Sequence, residues 1–421
     1  MKKNKIYKSF IVCAILLIIL YWGIGLSLTP FAPRFYFEQA QKIAYREHRL
    51  PDSGYNFSNT DGEHLWIGST LFLKGKNPLQ VLLCDEEPPF GVGHATTHNT
   101  PYLPWSYVVG NIFTPGFLSV MSALWWELIL SLLLVIWMGR KIYNVSKNEN
   151  LSHTVSLLVV LLCLAQYGFT PSLAYLNPSL FVIPLLILSS LYSGDKNWFL
   201  TGTLLGLAML KPQITALFFI PFLVRGQWKS ITTGVMWIII PLLVASVVYC
   251  ENPIKLILDY MQGTTEKAEA VNNDIYYGFF DPLQRCFGVA PGIVTLLQVI
   301  VFGVTTLLLC YRYRNASNMV LFSIPAVFST CWMYTVSTNL TVLALLIMAV
   351  MSLLHQNPKR PHIMKTVLIA GIIFMLMPIP ELIRRFYSPV LFPLVQHSIY
   401  IVLLVIVLKL SATSKLGNAR Q

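Results

Sequence analysis

Long apolar runs separated by polar turns make up most of this 421-residue chain. The first run, residues 10–28, follows four lysines and is long enough to cross a bilayer, which takes about 20 apolar residues. No cleavage site with small residues follows Leu28, so we interpret the run as an uncleaved membrane anchor. The same pattern continues to the end of the chain and predicts an all-α bundle of roughly twelve transmembrane helices.

Two long polar stretches interrupt the apolar pattern. Residues 29–104 are expected to form a large first extracytoplasmic loop, and residues 251–291 a second outer loop. No soluble domain, internal repeat or low-complexity segment is evident, so we treat residues 1–421 as one membrane-embedded domain. After the first loop, residues 105–137 are predicted to begin with a surface segment broken at Pro115. A helix that ends near Arg140-Lys141 should follow it.

A second irregular stretch, residues 198–224, is interrupted by Lys211-Pro212. It is either one long kinked helix or two short segments that meet near the outer face. Two segments place Arg225 and Lys229 on the cytoplasmic side, as the positive-inside rule requires, whereas one segment places them outside. We therefore expect two short segments separated by the proline.

Composition agrees with a membrane protein. Hydrophobic residues make up 55% of the chain and charged residues 11%, with a mean hydropathy of +0.62. Soluble domains carry about 25% charged residues. With loops assigned alternately from a cytoplasmic N-terminus, 18 of the 30 basic residues lie inside and 15 of the 18 acidic residues lie outside.

The net charge of +12 therefore reflects membrane topology rather than a nucleic-acid surface. We expect a multi-pass protein of the plasma (inner) membrane with both termini cytoplasmic. Membrane lipids are then its surroundings, and no nucleic-acid partner is expected.

The first outer loop holds the carboxyl groups most suited to chemistry. Asp61 and Glu63 precede an amphipathic stretch that ends at Gly75. A carboxylate at the membrane surface, close to a helix start and aromatic residues, can serve as a general base. On position alone, however, a helix cap or a solvated loop acid is the commoner role for such a residue.

Charged residues within the apolar segments are the other candidates. Lys211 is the only basic residue in its apolar region, and an ionisable group at membrane depth marks a functional site by default. The alternative is a lysine that snorkels from a helix end. Arg34 and Arg285 lie outside, where they can bind phosphate or a lipid headgroup. Glu127 has apolar neighbours in the sequence, and its side chain either has a structural partner or faces a cavity.

Metal and nucleotide motifs are not matched. His64, His94 and His98 and the acidic run 85–87 lack the spacing of a zinc site, so no metal is expected. No phosphate-binding glycine loop or dinucleotide motif is present, which argues against ATP, nicotinamide or other cofactors. Cys84, Cys250 and Cys286 fall at or near the outer side, and their pairing stays open.

Six short motifs follow one another along the chain: Asp61, Gly75-Lys76-Asn77-Pro78, Pro101-Tyr102-Leu103-Pro104, Leu176-Asn177-Pro178-Ser179, Gly202 to Gln213 with Leu210-Lys211-Pro212-Gln213, and Arg225-Gly226-Gln227-Trp228-Lys229. This ordered set resembles the GT-C superfamily of membrane glycosyltransferases, in particular glycosyltransferase family 87, the polyprenyl-phosphate-mannose-type enzymes. Leu176 stands where the family usually has glycine. The late outer turn, residues 332–339, lacks the histidine and aspartate often found there.

The resemblance implies a GT-C-like bundle with an extracytoplasmic active site. A hexose, mannose in the named enzymes, would pass from a polyprenyl-phosphate donor to a hydroxyl of a lipid or glycan acceptor. Asp61 would be the general base, with Glu63 as the alternative, and Lys211 would bind the donor phosphate, with Arg34 and Arg285 as weaker candidates. The expected substrate-binding residues are His64, Trp66, Asn177, Gln213, Tyr334 and Asn339.

Two other functions compete with this interpretation. A transporter or lipid flippase would use the broken segment at Lys211 and the charge of Glu127 as a path through the membrane. The absence of an internal repeat and the size of the first loop argue against it. The third candidate is a non-catalytic membrane subunit of an envelope-glycan assembly complex.

Overall fold

The computed structural model describes residues 2–28, 61–78, 102–270, 279–280, 287–332, 337–356, 362–377 and 391–418. Within these ranges the chain is helical and contains no β-strand. The expected all-α class is confirmed to that extent. Much of the predicted first outer loop, including Arg34, and part of the second, including Arg285, lie outside the described residues.

Seventeen α-helices are described, together with 3-10 turns at Asp195–Asn197, Ala216–Phe218 and Ser337–Leu343. The first eight are α1 (Lys2–Ser27), α2 (Asp61–Leu73), α3 (Pro104–Phe113), α4 (Val120–Asn148), α5 (His153–Leu164), α6 (Phe169–Ala174), α7 (Ser179–Tyr192) and α8 (Trp198–Ala208). The others are α9 (Pro212–Thr215), α10 (Phe219–Val224), α11 (Trp228–Tyr249), α12 (Pro253–Ala270), α13 (Pro291–Arg312), α14 (Asn318–Phe328), α15 (Ala344–Gln356), α16 (His362–Leu376) and α17 (Leu391–Asn418).

Helix α7 lies at the centre of the bundle. Its residues from Ser179 to Leu191 are all buried, as expected of a helix that is apolar on every side. It packs against α4 and α8, and the rings of Phe113 and Phe181 stack with their centroids 4.0 Å apart. This packing holds Ser179 and the other first residues of α7 in fixed positions.

Outer helices carry their apolar side chains on the surface. Leu16, Val247 and Leu308 are exposed on α1, α11 and α13, which is the arrangement expected for helices that face lipid. Among the described residues, six helices are long and apolar enough to cross a membrane. They are Tyr7–Ser27, Val120–Asn148, Trp228–Tyr249, Gly292–Arg312, Thr338–His355 and Leu394–Ala412.

Seven shorter apolar helices accompany these six in the described ranges. The expected number of roughly twelve spans stays a prediction, because the described helices do not establish which short ones cross the membrane. The break near Pro115 is present between α3 and α4. Helix α4 does not end near Arg140-Lys141 as expected, however, but continues for two further turns to Asn148.

The stretch from Trp198 to Val224 is divided as expected. Helix α8 ends at Ala208, and Pro212 begins α9, where its missing N–H and fixed φ are compatible with a helix start. Lys211 lies between the two helices. Irregular backbone at membrane depth is tolerated where protein surrounds it, and Leu210 and Ile214 on either side are each 2% exposed.

Glycines bring α8 and α11 into close contact. A Cβ atom on Gly206 would stand 2.4 Å from the Cβ atom of Trp237 and 2.7 Å from the carbonyl oxygen of Gly234. A Cβ atom on Gly202 would stand 2.4 Å from the carbonyl oxygen of Ser230. These contacts involve backbone atoms that cannot rotate away, so the helix that ends just before Lys211 is held tightly.

We expect Gly206→Ala to destabilise the protein by about 1–3 kcal/mol, because the added methyl group forces α8 away from α11. Gly303→Ala is the matched control, since no atom lies within 4 Å of a Cβ at that helical position. It should be neutral or stabilise by up to about 1 kcal/mol through helix propensity. Thermal unfolding in detergent measures both changes, and equal melting temperatures for the two variants would contradict this account.

Candidate functional site

Asp61 is the first residue of α2, and contacts with distant parts of the chain hold it there. Its backbone N–H donates to the carbonyl oxygen of Tyr175 at 3.1 Å. Its own carbonyl oxygen accepts a hydrogen bond from the Tyr102 hydroxyl at 3.4 Å. Asp61 as a residue is half-buried. Asp61 therefore contacts the turn before α7 and is also the first residue of α2.

Asn177, in that turn, connects Asp61 to Lys211. Its side-chain Nδ2 donates to Oδ2 of Asp61, and its Oδ1 accepts from Nζ of Lys211 at 2.5 Å. The same Oδ1 accepts from the backbone N–H of Ser179 at 2.9 Å. Because an ammonium group only donates, it requires the amide oxygen to face Lys211 and leaves the amide nitrogen for Asp61.

Lys211 is buried, with 6% of its surface exposed. It does not extend to the solvent as a snorkelling lysine would. Its ammonium group instead donates to Asn177 and, at 2.9 Å, to the hydroxyl of Ser179. Such a charge is stable inside a protein only when hydrogen bonds and an opposite charge offset its loss of water. The carboxyl of Asp61, one amide away, supplies the opposite charge.

Thr338 and Asn339 close the other side of this group. Ser179 Oγ donates to Oδ1 of Asn339 at 3.0 Å, and the Thr338 hydroxyl donates to the same oxygen at 3.4 Å. Thr338 and Asn339 are buried in the 3-10 segment that leads into α15. Four distant parts of the sequence therefore meet in one continuous hydrogen-bonded group, which we call the polar chain: Asp61, Asn177, Lys211, Ser179 and Asn339.

Leu176 has an unusual backbone conformation next to this chain. Its φ is +43°, in the left-handed region that favours glycine, and its side chain is fully buried. The conformation gives a physical reason for the glycine that stands here in the family the sequence resembles. In this chain, side-chain burial offsets a backbone strain on the order of 1–3 kcal/mol.

Glu127 on α4, a candidate whose role the sequence left open between a structural partner and a cavity, lies beside the polar chain. It is fully buried, and among the described residues neither side-chain oxygen has a hydrogen-bond partner. A Cβ atom on Gly62 would stand 2.6 Å from Oε2 of Glu127 and 2.9 Å from the carbonyl oxygen of Leu176. The carboxyl also interacts electrostatically with Asp61 and Lys211. In the sequence, Glu127 stood out because it is an acidic residue flanked by tryptophans and leucines.

Two of the remaining predicted site residues, Trp66 and Gln213, make hydrogen bonds outside the polar chain. Trp66 is on α2, but its indole N–H donates to the carbonyl oxygen of Leu118 at 3.1 Å and its ring packs with Ile67 and Leu71. Trp66 therefore supports α2 rather than the polar chain. The backbone oxygen of Gln213 accepts from Trp332 Nε1 at 2.5 Å, two residues beyond Lys211.

His64 is half-buried one turn after Asp61. Glu63 is a residue of α2 whose side chain lies outside the described set. Arg34, Arg285 and Tyr334 lie outside the described residues altogether, as do Cys84 and Cys286. Within the described ranges, no group of three histidine, cysteine, aspartate or glutamate side chains is placed to hold a metal ion.

Comparison with known proteins gives one match. The sequence model of glycosyltransferase family 87 matches residues 102–338, which is more than half of the chain. No curated protein and no solved structure matches. The matched region contains Asn177, Ser179 and Lys211, whereas Asp61 precedes it and Asn339 follows it directly. The structure joins both of these outer residues to the matched region through hydrogen bonds.

We expect Glu127→Gln to leave the free energy of unfolding unchanged or to increase it, because the substitution removes a buried carboxyl group that has no hydrogen-bond partner among the described residues. Ser131→Ala, one turn later on the same buried face of α4, is the matched control. Chemical denaturation in detergent measures both. A loss of more than about 2 kcal/mol in Glu127→Gln alone would show that the carboxyl has a structural partner.

Proposed function

Because this chain belongs to glycosyltransferase family 87, we propose a specific reaction for it. The protein is a membrane glycosyltransferase. In the proposed reaction, it moves a hexose, with mannose as the first choice, from a polyprenyl-phosphate donor to a hydroxyl group of a lipid or glycan acceptor. Asp61 is the general base, and Lys211 binds the phosphate that leaves.

The observation that carries this proposal is the hydrogen-bonded path from Asp61 through Asn177 to Lys211. Sugar transfer from a lipid phosphate needs a base for the attacking hydroxyl and a cation for the departing phosphate. Here one amide side chain separates a half-buried carboxylate from a buried ammonium. The two groups are therefore held at a spacing set by a single residue rather than by two flexible side chains.

In the proposed step, Asp61 removes the proton from the acceptor hydroxyl while the oxygen attacks the anomeric carbon. A new carbon–oxygen bond forms there. The bond between the anomeric carbon and the phosphate oxygen breaks, and the phosphate leaves with the electron pair. Lys211 stabilises the negative charge that develops on this phosphate in an environment from which water is largely excluded.

We place the reaction on the extracytoplasmic face of the plasma membrane. The lysine-rich N-terminus and the basic turn near Arg225 support a cytoplasmic location for those segments, which leaves Asp61 on the opposite side. This topology uses roughly twelve spans, including short broken ones, and a large first outer loop. The resemblance to polyprenyl-phosphate-mannose enzymes supports the choice of donor. Glu63 stays the alternative base, and Arg34 and Arg285 the further candidates for phosphate binding.

We expect Asp61→Asn to lower the rate of sugar transfer by about 10²–10⁴-fold, because asparagine cannot accept the proton. Binding of the donor should change little. The measurement is transfer from polyprenyl-phosphate mannose by the purified protein in nanodiscs. Asp259→Asn on α12 is the control and should retain activity. Full activity in Asp61→Asn would move the base to another residue, with Glu63 tested next.

We expect Lys211→Met to raise the KM for the donor by at least tenfold and to lower kcat, because the phosphate loses its cation in both the bound state and the transition state. Lys229→Met removes an exposed lysine at the start of α11 and is the control. Steady-state kinetics with varied donor concentration separates the two parameters. An unchanged KM and kcat for Lys211→Met would remove Lys211 from the proposed mechanism.

A further inference from the structure

Ser179 connects the Lys211 ammonium to Asn339. It is the first residue of α7 and is 2% exposed. Its hydroxyl oxygen lies 2.9 Å from Nζ of Lys211 and 3.0 Å from Oδ1 of Asn339. The three residues come from three separate parts of the chain.

The chemistry of Lys211 determines the direction of its hydrogen bond. An ammonium group has three N–H donors and no acceptor, so the Ser179 oxygen accepts from Lys211. The Ser179 hydroxyl donates its own proton to Oδ1 of Asn339, and the Thr338 hydroxyl donates to the same oxygen.

This arrangement fixes the orientation of the Asn339 amide. With Oδ1 turned toward Ser179, Nδ2 and its two N–H donors are turned away from it. The same logic fixes Asn177, whose nitrogen is directed at Asp61. Lys211 therefore sets the orientation of the Asn177 amide, and the hydroxyls of Ser179 and Thr338 hold that of Asn339.

We propose that Ser179 is a positioning residue and that the Asn339 amide nitrogen binds the donor phosphate together with Lys211. This inference rests on the proposed function. Ser179 holds the ammonium in place with its oxygen and orients the Asn339 amide with its proton. One cationic and one neutral donor then converge on the phosphate oxygens, which suits a phosphodiester that carries a single negative charge.

Burial strengthens this arrangement. Lys211, Ser179 and Asn339 are all less than a tenth exposed, so water and salt screen their interactions with an anion far less than at a surface. The alternative role for Ser179 is a buried hydroxyl that only satisfies its neighbours. Ser190 on the same helix has that role, because it is fully buried and donates to the carbonyl oxygen of Leu186 at 2.9 Å.

The test compares Ser179→Ala with Ser190→Ala in nanodiscs. Both remove one buried hydroxyl from α7, and Ser179→Ala should lose more thermal stability because it also removes an acceptor from the buried Lys211 ammonium. Ser179→Ala should weaken binding of undecaprenyl phosphate and raise the KM for the sugar donor by at least tenfold, whereas Ser190→Ala should leave both unchanged. Equal binding and equal KM in the two variants would overturn the proposal.

A second variant, Asn339→Asp, tests the amide nitrogen directly. The aspartate keeps an oxygen to accept from Ser179 but replaces the N–H donors with negative charge, so phosphate binding should fall further than in Asn339→Ala. Binding equal to the wild type in Asn339→Asp would also overturn the proposal. Inorganic phosphate is the parallel probe. Competition by inorganic phosphate alone, with undecaprenyl phosphate inactive, would assign the site to free phosphate and overturn the lipid-donor assignment.

Binding and transfer separate this inference from the proposed function. If the wild type binds undecaprenyl phosphate through Ser179 but transfers no sugar from any polyprenyl-phosphate hexose, the phosphate site stands and the proposed reaction fails. If the wild type transfers sugar and Ser179→Ala is normal, only the present inference fails. If the wild type neither binds the lipid phosphate nor transfers sugar, both are overturned.

Discussion

The buried ammonium of Lys211 is the constraint on which the site depends. A charge 6% exposed and surrounded by apolar helices would be very unfavourable without partners. It receives two hydrogen-bond acceptors, Asn177 and Ser179, and an opposite charge from Asp61 through the Asn177 amide. Because Asp61 and the segment of Asn177 and Ser179 are both distant from Lys211 in the sequence, stabilising this one charge requires separate parts of the bundle to converge.

The helices are arranged in a way that permits this convergence. Helix α7 is buried along its length and places Asn177 and Ser179 at its start, while the tight contact between α8 and α11 fixes the position from which Lys211 extends. Polar side chains and a broken backbone are tolerated there because protein, rather than lipid, surrounds them. The broken backbone and the buried polar side chains therefore lie together at one place. A functional site accounts for this grouping better than a contribution to stability does.

The candidate site could be predicted in part from the sequence. Asp61 stood out as an acid before a stretch predicted to be amphipathic, although the helix it begins is buried throughout residues 65–72. Lys211 stood out as a charge in an apolar region, and the structure joins the two through Asn177. Trp66 was predicted to bind substrate, yet its side chain packs in a separate apolar cluster with Ile67, Leu71 and Ala123. Glu127 was visible as an isolated acid, but its position beside Gly62 depends on how α4 packs against α2. Ser179 was visible only as the last residue of the Leu176-Asn177-Pro178-Ser179 motif and was not among the predicted site residues.

The sequence by itself determined the membrane character of the chain, the break at Lys211-Pro212 and the family to which it belongs. These properties follow from local hydropathy, from proline chemistry and from the order of short motifs, none of which requires knowledge of packing. Only the tertiary structure decided the partners of each polar group. Asn177 lies 116 positions from Asp61 and 34 from Lys211 along the chain, and contacts over such separations depend on how whole helices pack against one another.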